Sequence, residues 1–110
     1  MEKNILVTGA TGYVGGRLIP RLLEHDYNVR VLVRNPKRLE NKIWYNKVEI
    51  HKGNILNQKS VKGLFKNIDT AYYLIHSMES YENFEKNDLI AAEIFATEAK
   101  KCDIKKIIYL

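Results

Sequence analysis

The chain has little cysteine: Cys102 is the only one in 110 residues. No disulfide can close within it, and no Cys/His spacing typical of a metal centre occurs. This composition suits a reducing compartment and predicts a cytoplasmic location. Long apolar runs are also missing. The opening MEKNILVTGA has no apolar stretch behind a basic region, as a secretory leader would. No apolar run approaches the roughly 20 residues of a membrane helix, so no membrane partner is expected. There is no repeat of solenoid length and no linker. What remains is ordinary for a globular protein, 45% hydrophobic and 28% charged. The length predicts one domain, able to bury about two-thirds of its unfolded surface.

The net charge is +5. A basic balance can indicate nucleic acid. Here the lysines are scattered rather than gathered in one run, so nucleic acid is not expected as a partner. A modest positive field also suits a phosphate-rich cofactor.

Strand-like and helix-like patterns alternate along the chain. Residues 3–8 (KNILVT) form a short apolar run ended by glycine, the mark of a buried strand. Residues 12–26 carry Val14, Leu18, Ile19, Leu22 and Leu23 at helical spacing, with Pro20 expected to kink or loosen that helix. A second strand is predicted over 28–33 and a helical turn from Pro36 to Leu39. Residues 43–46 are ambiguous. A third strand follows over 47–52. Asn57 is a candidate N-cap for a helix through Val61, Leu64 and Phe65. A fourth strand is predicted over 70–75, a long helix over 83–101 with Leu89, Ala92, Ile94, Phe95 and Ala99 as its apolar stripe, and a fifth strand over 105–110. This order predicts an α/β fold: a doubly wound parallel sheet of the Rossmann type, about five strands, with helices on both faces.

The most informative stretch is TGATGYVG, residues 8–15. Gly9, Gly12 and Gly15 follow a predicted strand and open a predicted helix, the context a dinucleotide-binding turn requires. The first turn needs a residue free of side-chain clashes. Gly12 would let the backbone approach a pyrophosphate, and Gly15 would let the helix pack close to the sheet. The free N–H groups of the helix start, at Tyr13 and Val14 among others, would then face phosphate. Thr8 and Thr11 offer hydroxyls. A tight strand–helix turn with no ligand is the alternative.

These residues resemble the cofactor turn of the extended and atypical short-chain dehydrogenase/reductases. More narrowly, the chain resembles the NmrA-like, NAD(P)H-binding group of that superfamily. The flanking VRVLVRNPKRL, KGNI and AYYLIHSM agree, and the resemblance covers essentially the whole chain. It implies a dinucleotide cofactor.

Which dinucleotide is read at the end of the second strand. An acidic residue there binds the ribose hydroxyls of NAD. This chain has Arg34 and Asn35 instead. An arginine can pair with a 2′-phosphate and stack on adenine, with Lys37 and Arg38 near enough to assist. The resemblance implies the same, so NADP(H) is favoured over NAD(H). A solvated charge at a strand end is the alternative. By family analogy the missing acid also argues against S-adenosylmethionine and FAD.

After the third strand, relatives often carry Gly-Asp-Leu, with the aspartate near the adenine amino group. This chain has Gly53-Asn54-Ile55. The Asn54 carbonyl can still accept from that amine, or Asn54 can simply form an Asx turn. Both readings stay open. Ile75, His76 and Ser77 follow the fourth strand and are expected to line the ribose and nicotinamide side. His76 has no visible partner acid or nucleophile, so hydrogen bonding to backbone or ribose is favoured over a general-base role. Tyr13 either covers the cofactor or packs. Tyr72, Tyr73 and Phe95 are expected in the core. Tyr81, Asn83 and Phe84 fall in a region that faces the substrate cleft in relatives.

The superfamily's reductases and epimerases use a Tyr-x-x-x-Lys pair, which this chain lacks: Tyr81 is followed four residues later by Glu85. In relatives that motif lies beyond the fifth strand. The expectation is therefore that residues 1–110 are an NAD(P)-binding domain, an amino-terminal portion of a longer protein with a small-molecule substrate, and no catalytic residue is assigned. An open strand edge near Leu110 predicts marginal stability or self-association. The functional expectation is a short-chain dehydrogenase/reductase-like oxidoreductase or nucleotide-sugar-epimerase-like protein. The alternatives are a non-catalytic NmrA-like dinucleotide sensor and a Rossmann scaffold with no retained ligand.

Overall fold

Strand β1, Asn4–Thr8, is apolar on both faces and lies at the centre of the sheet. A strand covered on both sides needs no polar alternation, which is why it reads as a continuous apolar run. The computed structural model describes residues 3–10, 12–74 and 84–109. Around β1 stand β2 (Asn28–Val33), β3 (Glu49–Lys52), β4 (Thr70–Tyr73) and β5 (Lys106–Tyr109), in the order β3-β2-β1-β4-β5. All four pairings are parallel. The chain winds outward from β1 to one side, then returns to continue on the other. The switch point lies between β1 and β4, and ligands of doubly wound sheets bind at the carboxyl ends of the strands at such a point.

Helix α1 (Tyr13–Glu24) covers one face and helix α2 (Phe84–Lys101) the other. Successive strand side chains point to opposite faces. Ile5, Val7, Val29 and Val31 accordingly pack on Ile19 and Leu22 of α1, joined by Leu39 and Trp44. Leu6, Leu32 and Ala71 pack instead on Ala91, Phe95 and Ala99 of α2. Pro20 neither ends nor splits α1, which runs unbroken across it. Tyr72 and Tyr73 take opposite faces. Tyr73 meets Phe95 edge-on at 4.7 Å, and Phe65 closes on the same ring at 4.9 Å.

The segment after Asn57 departs from the sequence reading. It forms a 3-10 turn, Gln58–Val61, and Asn57 makes no side-chain cap. Ser60 explains this. Its hydroxyl is shared between the Asn54 and Asn57 carbonyls and the Asn54 N–H, a local network that competes with helix propagation. Lys62 is extended and Gly63 has φ +77°. The apolar residues still reach the core, because Val61, Leu64, Phe65 and Ile68 are buried against the α2 face. Arg30 fixes the return of this segment, donating to the Leu64 and Lys66 carbonyls at 2.6 and 3.0 Å and to Glu49 at 2.9 Å. Glu98 of α2, buried, accepts from Gln58 at 3.3 Å and from Lys101 at 2.9 Å.

Candidate functional site

The candidate site lies where β1 hands over to α1. The end of β1 is stapled to β4: the buried Thr8 hydroxyl donates to the Tyr72 carbonyl at 2.9 Å and accepts from the Leu74 N–H at 3.4 Å. Thr8 is thus a structural tie rather than a hydroxyl for a ligand. Gly9 follows in the left-handed region, φ +87°, where an L side chain is strained. A Cβ there would also stand 2.8 Å from the Leu74 carbonyl oxygen. Gly12 closes the turn, donating to the Gly9 carbonyl at 3.1 Å, and becomes the N-cap of α1. Gly15 is buried, and a Cβ on it would overlap the Gly9 carbonyl oxygen and lie 3.0 Å from the Ala10 Cα. Its close packing is against the turn itself.

Gly12 stands apart from these two. Its backbone is ordinary extended chain, φ −80° and ψ 172°, and a Cβ would meet only the Gly9 carbonyl oxygen, at 3.4 Å. Packing does not demand a glycine here. The missing side chain leaves open room in front of the helix, with no capping side chain on Gly12 and no acidic residue in the first turn. That arrangement can accept an anion, so the residues present fit a dinucleotide pyrophosphate. Tyr13 and Val14 are both exposed at the helix start. Tyr13 does not pack in the core: its ring lies 4.5 Å under the Arg17 guanidinium. The i, i+4 spacing of Tyr13 and Arg17 is the sequence signal for this pair.

Arg34 is exposed just past β2. The Val33 carbonyl accepts from the Gly53 N–H at 3.0 Å, so the ends of β2 and β3 lie together and bring Arg34 and Asn54 to the same edge of the sheet. Asn35 accepts from the Lys37 N–H at 3.2 Å and starts the 3-10 turn Pro36–Leu39, on which Lys37 and Arg38 are exposed. Asn54 forms the Asx turn, its side-chain oxygen accepting from the Leu56 N–H at 3.0 Å. That oxygen keeps a second lone pair. The Ile55 side chain is buried in the core beneath α2, so only its main chain is available to a ligand. Thr11, Ile75, His76 and Ser77 lie outside the described residues, as do Tyr81 and Asn83.

Among the described residues two groups have shifted acidities, and neither stands at the glycine turn. Burial pushes the Tyr73 hydroxyl up, with Asp88 and Tyr109 adding to it. The hydrogen bond from Lys101 holds Glu98 below its ordinary value against the opposing effect of burial. A polar cavity of about 350 Å³ opens at the other end of the sheet, lined among others by Asn4, Asn28, Arg30 and Lys47. Among the described residues no cluster of His, Cys, Asp and Glu could hold a metal ion, and no helix is long and apolar enough to cross a membrane.

Residues 1–109 match the model of the NmrA-like family. The chain is 28% identical over 100 residues to a bifunctional dihydroflavonol 4-reductase/flavanone 4-reductase of Pyrus communis, covering 84% of this chain and 29% of that protein. Among solved structures, a nucleoside-diphosphate-sugar epimerase from Staphylococcus aureus superposes with a TM-score of 0.78 at 27% identity, covering 96% of this chain and 37% of that one. The triphenylmethane reductase of Citrobacter sp., complexed with NADP(H), shares the fold with a TM-score of 0.76 at 24% identity, covering 96% and 36%. The chain therefore spans about a third of the length of these proteins.

Proposed function

The chain belongs to the NmrA-like family, and from that premise we propose that it is the NADP(H)-binding domain of a reductase- or epimerase-like protein. The observation that carries this reading is Gly12, a glycine that neither backbone strain nor packing requires, placed at the uncapped start of α1. Its bare backbone admits a pyrophosphate to the N–H groups of the first turn, contributed by Tyr13, Val14 and Gly15, and Thr11 is assigned to the same group from its place in the motif. Arg34 would pair with the 2′-phosphate, helped by Lys37 and Arg38, since no acid stands at the end of β2 to hold ribose hydroxyls instead. The free lone pair of Asn54 and the main chain of Ile55 would meet the adenine, while Ile75, His76 and Ser77 are assigned to the ribose and nicotinamide side. A bound nicotinamide supplies hydride chemistry. This chain's residues bind and orient it, and none is assigned to proton transfer.

The activities of the relatives, a dihydroflavonol/flavanone reductase and a nucleoside-diphosphate-sugar epimerase, support small-molecule chemistry in the whole protein. A cytoplasmic setting belongs to the same reading. A second reading is a dinucleotide sensor without catalysis, which uses the same glycine turn. The test is fluorescence titration of NADPH and NADH against the wild type and Arg34→Ala. The variant should weaken NADPH about tenfold or more, equivalent to roughly 1.4 kcal/mol, and leave NADH nearly unchanged. Equal losses for both would remove the NADP(H) assignment.

A further inference from the structure

We propose that Arg17, held against the Tyr13 ring, is the side-chain cation of the pyrophosphate site. The inference rests on the dinucleotide reading above and adds a residue to it. Tyr13 is the first residue of α1 and Arg17 lies one turn later. Helical side chains lean toward the amino terminus, so Arg17 reaches back over the first turn and its guanidinium stacks on Tyr13 at 4.5 Å. Tyr13 is 74% exposed, so this stack is not a by-product of core packing.

A cation in this position faces a like-signed neighbour with no acid to relieve it. The helix start is the positive end of the macrodipole, and the first turn has no acidic residue. Among the described residues no carboxylate pairs with Arg17. A positive side chain drawn to a positive helix end is unfavourable until an anion arrives, when both act on it together. The stack on Tyr13 offsets part of that repulsion and holds the guanidinium beside the first residue of α1. Arg17 and Arg34 then divide the work. Arg34, past β2, reads the 2′-phosphate that only one dinucleotide carries. Arg17, on α1, acts on the diphosphate common to both.

Calorimetric titration of NADPH, NADH and ADP-ribose against the wild type, Arg17→Ala, Tyr13→Leu and Arg34→Ala tests the assignment. Arg17→Ala should raise Kd for all three ligands by a similar factor, about three- to tenfold, and should flatten the salt dependence of binding. Tyr13→Leu should give a smaller loss in the same direction, because it frees the guanidinium without removing it. Unchanged affinities in Arg17→Ala, while Arg34→Ala still loses NADPH, would make Arg17 a solvated surface cation and overturn the proposal. A loss confined to NADPH would overturn it too, by moving Arg17 to the 2′-phosphate. If the wild type binds none of the three, the cofactor reading falls and takes this one with it.

Discussion

The carbonyl oxygen of Gly9 occupies the space that a Cβ on Gly15 would need. These two glycines hold the β1–α1 turn closed, and Gly12 between them is left facing outward. The motif therefore separates into residues that packing requires and one that packing leaves free.

Stability and binding should divide along that line. Gly15→Ala forces backbone apart and should cost about 1–3 kcal/mol. Gly9→Ala adds strain at φ +87° to a contact with Leu74, and should be at least as damaging. Gly12→Ala meets no comparable steric obstacle and should lose only about 0.5–1 kcal/mol, the penalty of alanine at an N-cap, yet lose dinucleotide affinity tenfold or more. Urea denaturation beside NADPH titration checks all three. A Gly12→Ala protein that binds normally would defeat the cofactor reading at its main support.

Glu98 should give the protein an acid-sensitive component of stability. Its folded-state pKa is depressed below 4.5, chiefly by Lys101. Stabilisation from such a carboxylate is complete above the unfolded-state value and is lost as pH falls through the folded-state value. The loss should therefore appear below about pH 4.5, as protonation releases Lys101 and weakens the tie to Gln58. Glu98→Gln should flatten that limb of a plot of Tm against pH while leaving Tm near neutrality lower. A pH profile identical to the wild type would show that another carboxylate governs acid unfolding.

Phe95 is the keystone of the α2 face, in edge contact with both Phe65 and Tyr73. Phe95→Ala should cost about 3–5 kcal/mol and return Tyr73 toward ordinary tyrosine acidity, since burial is the main cause of its raised pKa. Denaturant melts and ultraviolet titration of the tyrosines read the two effects separately. A loss under about 1 kcal/mol would mean that the cavity collapses without penalty.

Periodicity and glycine spacing were enough to establish the alternation of strands and helices, the parallel doubly wound sheet and the glycine turn at its centre. Apolar pattern reports burial, and these elements are made by burial. Arg34 past β2 was legible for the same reason, since its place follows from where a strand ends. The segment 57–65 was not: its apolar spacing suits a helix, but Ser60 draws Asn54 and Asn57 into a local network that periodicity does not register. Tertiary structure alone decided that Thr8 staples β1 to β4, that Ile55 turns inward, and that Gly9 and Gly15 are consumed by packing while Gly12 is not. Each of these depends on which atoms meet across residues distant along the chain or around a tight turn. Residue order specifies which groups exist, and only the folded chain specifies which of them are already occupied.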